Sequence, residues 1–164
     1  MKEKPNEHRD IISRLQKEKP FEKIDGKKIH LIISKFREEY KEFSAQAVWF
    51  PFLFRYIVLN QDRLDDDPDE IAATIAHELG HHEQYSSLGT IEYFRTMFML
   101  IFRKKEIRTT RREMEIYADK KAIEAGCAHG LYSHRIQHPK NDGEEEFYMT
   151  SEEIKDYATS IGKW

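Results

Sequence analysis

The sequence predicts an α+β fold, with a small antiparallel or mixed sheet packed on one long helix and on a second helix later in the chain. Three stretches predict it. Residues 47–59, AVWFPFLFRYIVL, are dense in aromatic and β-branched side chains, which suit a pleated surface. After Asp67, a proline and then Glu70 open a run that carries Ile71, Ile75 and Leu79 at helical spacing. Residues 111–126, RREMEIYADKKAIEAG, combine good helix formers with a closing glycine.

Length and composition bound the answer. With 164 residues, 39% apolar and 35% charged, residues 1–164 are expected to be a single domain around one buried core. A formal net charge of −3 gives no reason to expect nucleic acid or an anionic membrane as the main partner. The single cysteine, Cys127, excludes an internal disulfide framework and fits a reducing compartment. Its expected place is a small, partly buried position. The opening MKEKPNEHRD lacks the apolar core of a signal peptide, and no run approaches the roughly 18 apolar residues that cross a bilayer. The expected setting is cytoplasmic, with no transmembrane segment.

Residues 1–20 form a charged N-terminal segment whose Ile11, Ile12 and Leu15 predict a short helix stopping near Pro20. Asp25 is placed to cap a second helix through Phe43, since Ile29, Ile32, Ile33, Phe36, Tyr40 and Phe43 keep spacings of three and four. The alternative for Ile29 to Ile33 is a strand, because that run is short and β-branched. Pro51 then marks a break, and Phe54 to Asn60 is the better strand. The acidic run Asp65 to Asp67 closes the next turn. Asp67 offers a helix N-cap, Pro68 the first helical position, and Glu70 a carboxylate three residues on. Gly80 suits the close approach of another segment, and Gly89 suits a stop.

Residues 91–102, IEYFRTMFMLIF, predict a buried helix, the alternative being an apolar patch for a partner. Past Gly126 the pattern turns irregular, with turn chemistry at Pro139 and Asn141-Asp142-Gly143 and a solvated acidic run at 144–146. Thr150 and Glu153 make a capping-box pair that opens a last helix to about Ile161.

The chemistry concentrates in His77-Glu78-Leu79-Gly80-His81. Residues four apart share a helix face, so His77 and His81 can point two imidazoles at one ion. Glu78 lies one position round, within reach of a water on that ion but badly placed to ligate it. This is the H-E-x-x-H arrangement of zinc hydrolases. A catalytic zinc commonly has three protein ligands and keeps a fourth position for water. Glu115 is the expected third ligand. Asp119, one turn further along the same face, is expected to accept the second N–H of a ligating histidine, His77. Tyr132, His134, His138 and Tyr148 are candidates to donate to the developing oxyanion, and the sequence does not choose among them. His134 and His138 also keep ligand spacing, which reads as a surface feature because no carboxylate motif follows.

HELGH followed by Glu115-Ile116-Tyr117-Ala118-Asp119 resembles the gluzincin metallopeptidases, whose pattern is HExxH with a later ExxAD or ExxxD. Among these it is most similar to the catalytic core of HtpX-like endopeptidases and to the small soluble minigluzincins. With the lead-in YIVLNQDRL, the resemblance covers roughly residues 54–126. It implies a zincin-like fold with Zn2+ held by His77, His81 and Glu115. It further implies Glu78 as general base, Asp119 as support, and hydrolysis of peptide bonds in a peptide or unfolded protein. The Phe54–Asn60 strand would then be the sheet edge onto which substrate adds as an antiparallel strand. Residues 127–164 become a C-terminal segment able to cover the cleft.

Two departures qualify the resemblance. The membrane-embedded relatives carry transmembrane helices, and this chain has no counterpart. ImmA/IrrE-type regulators share the HELGH helix but tend to continue with an F-A-containing segment, where this chain has Asp119-Lys120-Lys121. Two other functions stand beside the peptidase. One is an ImmA/IrrE-type regulatory metalloprotein acting on one specific protein partner. The other is a metal-stabilised interaction module without hydrolysis.

Overall fold

The computed structural model describes residues 5–38, 43–50, 53–63, 67–88, 91–95, 107–139 and 145–164. Helix α1 (Pro5–Leu15) leads into a 3-10 turn over Lys19–Ile24, and the pair buries Ile12, Leu15, Phe21 and Ile24. Three strands follow, β1 (His30–Ser34), β2 (Ala45–Phe50) and β3 (Phe54–Asn60). The chain is therefore α+β, with a mixed sheet.

The helix predicted from Asp25 is corrected over the described residues. Gly26 adopts a left-handed φ of 67° and ends the preceding turn. The run Leu31-Ile32-Ile33 then pairs parallel with β3, from His30 opposite Tyr56 to Ser34 opposite Asn60. Its apolar spacing is too short to separate the two periods, and a paired neighbour decides in favour of strand. Leu31 and Ile33 pack on the core while Ile32 faces out.

Strands β2 and β3 are antiparallel, with Ala45 opposite Leu59 and Phe50 opposite Phe54. Pro51 lies outside the described residues. The strand order β1-β3-β2 makes Phe54–Asn60 the central strand. This overturns its expected role as a substrate edge, because its backbone groups already pair on both sides. Among the described residues β2 pairs with β3 alone, and its other edge lies beside the long helix. There the register sets Ala45 and Ala47 opposite Leu59 and Ile57 on the helix-facing side, and these small side chains leave a hollow.

Helix α2 (Pro68–Ser87) starts as predicted: the Asp67 carboxylate accepts from Asp69 N at 2.9 Å, and Pro68 takes the first position. Glu70 departs from its expected capping role and turns inward, 2% exposed. The buried Ala72, Ala73, Ile75, Ala76 and Leu79 place α2 at the centre of the fold, against the sheet, α1, α3 (Ile107–Glu124) and α4 (Ala128–Gln137). His82 ties it to the sheet by donating from Nε2 to the Tyr56 carbonyl at 3.0 Å. Burial pushes this imidazole down to about 3 and keeps it neutral.

Gly80 does what its sequence position suggested. A Cβ there would lie 2.7 Å from Ala118 Cα and 3.0 Å from Ala118 O, so α2 and α3 touch backbone to backbone. Gly80→Ala is expected to force the helices apart and to cost about 1–3 kcal/mol, outweighing the ~1 kcal/mol gain in helix propensity. Urea denaturation measures the balance, and a variant as stable as wild type would refute this account of the contact.

The irregular stretch expected after Gly126 is instead α4, a further correction. Gly126 ends α3 with a φ of 89°, but the Cys127 N-cap makes no side-chain capping bond, so local chemistry does not announce the helix. Tertiary packing supplies the order. A Cβ on Gly130 would sit 2.1 Å from the Asp69 carbonyl oxygen, so α4 lies directly on the first turn of α2. Cys127 is half-buried at this junction, where burial pushes its thiol up to about 11. Helix α5 (Ser151–Ser160) opens with the predicted capping box, Thr150 accepting from Glu153 N at 3.2 Å and Thr150 N donating to Glu153 at 2.8 Å.

Residues 91–95 are helical with Ile91 and Phe94 exposed, and the remainder of the predicted apolar helix lies outside the described residues, as does Asn141-Asp142-Gly143. Among the described residues, no helix is long and apolar enough to cross a membrane.

Candidate metal centre

The Gly80–Ala118 contact sets α2 and α3 close enough for His77, His81 and Glu115 to converge. One ligand atom from each lies within 4.8 Å of the other two. His77 Nε2 is 3.2 Å and His81 Nε2 is 3.4 Å from the same oxygen, Glu115 Oε2. Two atoms bound to one tetrahedral ion at zinc–ligand distances stand about 3.4 Å apart. The spacing fits shared ligation.

The tautomer points the same way. His77 Nδ1 donates to Asp119 Oδ1 at 2.8 Å, which turns the Nε2 lone pair toward Glu115. A lone pair facing a carboxylate at 3.2 Å needs a cation between them, either a proton or a metal ion. In the metal-free protein a proton takes that place. Burial opposes the charged imidazole, but the hydrogen bonds to Asp119 and Glu115 outweigh it and carry His77 up to about 10. Burial likewise pushes Glu115 upward, and the His81 and His77 charges overcome it, holding the carboxyl well below its usual range.

Asp119 is completely buried and serves three elements at once. Besides His77 it accepts from Arg135 Nη2 on α4, at 3.1 and 3.3 Å, and from Met149 N ahead of α5, at 3.0 Å. Neither Arg135 nor the Met149 amide was legible beforehand, because no spacing rule links them to HELGH. Only the fold brings them there.

Glu78 faces a cleft of about 280 Å³ between β2 and α2, together with His77, His81 and Glu115. Burial raises its pKa, the His77 and His81 charges pull back, and the Ala47 backbone N–H donates to its carboxylate. Tyr148 lines the same cleft, its ring centroid 6.1 Å from that of His77. Burial raises its phenol, which therefore stays protonated and able to donate. The Arg135 guanidinium lies 4.7 Å above the ring and fixes its place.

The other three expected donors are sorted by the fold. His134 lines a smaller cavity of about 50 Å³ behind His77 and Glu78, with Nε2 3.2 Å from Ser44 Oγ. Tyr132 is corrected: its ring packs on Trp164 at 5.2 Å, on a different face of α4 from the one that meets the cavity. His138 is corrected too. It caps the end of α4 and joins Glu70 and His134 in a separate cluster.

Comparison with known protein families, with curated proteins and with solved structures returns no significant match for this chain.

Proposed function

We propose that the protein is a zinc-dependent peptidase with a zincin-like centre. The observation that carries the reading is the convergence of His77, His81 and Glu115 beside a buried carboxylate, Glu78, in a cleft flanked by an edge strand. Two imidazoles and one carboxylate form a ligand set of catalytic zinc sites. When bound there, the ion would polarise a scissile carbonyl and bring the pKa of water toward neutrality.

The protein's own groups supply the rest. Glu78, its pKa raised by burial, takes the proton of the attacking water and passes it to the leaving amine. Tyr148 donates a hydrogen bond from its hydroxyl to the oxygen that gains charge. Asp119 holds His77 in its ligating tautomer. A peptide or unfolded-protein segment adds as a strand to β2, in place of the Phe54–Asn60 edge expected from sequence. Tyr93 Oη already donates to the Trp49 carbonyl at 2.6 Å and the Ala47 N–H to Glu78, so substrate would add at the Ala45 end of β2. The single cysteine fits work in the cytoplasm.

The test combines metal analysis with an activity assay on the full chain. Wild type stripped by a chelator is expected to lose hydrolysis of fluorescently labelled casein and to regain it with Zn2+. His77→Ala and Glu115→Ala should each bind one zinc fewer than wild type and remain inactive when zinc is restored. Folded variants that keep the full zinc content would defeat the ligand assignment.

A further inference from the structure

Away from the cleft, the molecule holds a second set of ligand-bearing side chains. We propose that Glu70, His134 and His138 form a separate site for a zinc-type divalent ion, clamping the start of α2 to the end of α4. One ligand atom from each lies within 4.8 Å of the other two. His138, the residue that caps α4, follows His134 by four positions, and their ring centroids lie 4.8 Å apart. Glu70 comes from a different helix and is 2% exposed, and His134 is 8% exposed. A carboxylate buried this deeply requires a cationic or hydrogen-bonding environment.

The orientations of His134 and Glu70 suit ligation. His134 Nε2 meets Ser44 Oγ at 3.2 Å, which directs Nδ1 to Glu70. Nδ1 stands 3.7 Å from Glu70 Oε2, long for a hydrogen bond and close to the ~3.4 Å between two ligands of one tetrahedral ion. Gln137 Nε2 donates to the other carboxylate oxygen, Oε1, at 2.6 Å and orients the group. Ser44 and Gln137 thus hold the ligands as supporting residues do around structural metals. Two imidazoles and a carboxylate select zinc and its transition-metal neighbours over calcium or magnesium, which prefer all-oxygen sites.

The two sites are spatially separate. Glu70 precedes His77 by seven residues, about 10 Å along α2, whereas paired catalytic ions sit about 3.5–4 Å apart. The second ion would act on packing. By pinning α4 it holds Arg135 over Asp119 and Tyr148, two groups of the first centre.

Titration of the chelator-stripped full chain with Zn2+, and with Co2+ as a spectroscopic probe, tests the proposal. Wild type is expected to bind two equivalents. His138→Ala, at a half-exposed helix end, should bind one and keep the stoichiometric loss caused by His77→Ala, so that the double variant binds none. Zinc should also raise the thermal midpoint of His77→Ala, and that rise should vanish in the double variant. A wild type that binds one equivalent, lost in His77→Ala but kept in His138→Ala, would overturn the second site and spare the first. The reverse pattern would support the second site and overturn the first. An unchanged two equivalents in His138→Ala and in Glu70→Gln would also overturn the proposal.

Discussion

Glu78→Gln is expected to lower casein hydrolysis by about 10²–10⁴-fold while zinc content stays at the wild-type level. The two outcomes separate because Glu78 is displaced round the helix from the ligand face, whereas His77, His81 and Glu115 converge. Glutamine matches the shape of glutamate and can still accept from the Ala47 N–H that the carboxylate uses. It cannot take a proton from water. The measurement is initial rate at saturating zinc beside metal analysis of the same preparation. Hydrolysis at the wild-type rate would remove Glu78 from the mechanism. Loss of zinc would show that the carboxylate is a ligand.

Asp119→Ala is the second large effect, and it falls on stability and metal affinity together. Its carboxylate is completely buried and is the shared acceptor for His77, Arg135 and the Met149 amide. Removal leaves the largely buried Arg135 guanidinium without its counter-charge and a buried N–H without an acceptor. Breaking a buried pair from one side costs about 3–5 kcal/mol, a large share of the 5–15 kcal/mol typical of a whole domain. Denaturation of the metal-stripped protein isolates this loss from the stabilisation that metal binding adds by mass action. Where the variant folds, zinc affinity should fall about 10–100-fold, because His77 loses the bond that sets its tautomer. A stability change below 1 kcal/mol would contradict the role given to this residue.

The parts of the centre that could be read in advance lie within single helices. The four-residue step from His77 to His81, the same step from Glu115 to Asp119, and the Asp67 and Thr150 caps all depend on covalent spacing and near-neighbour hydrogen bonds. Gly80 was legible for a related reason: a glycine inside a strong helical pattern marks a place where something comes close. The readings that needed correction all concern partners distant in sequence. Residues 29–33 are compatible with either period until β3 pairs with them. Helix α4 carries no capping bond and is ordered by its seat on α2.

By itself, then, the sequence determined which side chains share a helix face and where α2 and α5 begin, since local geometry repeats wherever the chain takes that conformation. Tertiary structure alone decided that Phe54–Asn60 is central and β2 is an edge strand, that Arg135 and Met149 meet Asp119, and that Glu70 turns inward to His134. These arrangements depend on which buried surfaces and unpaired backbone groups find each other across the core. Such choices are settled by packing and hydrogen-bond satisfaction over the whole molecule, and no short stretch of residues contains them.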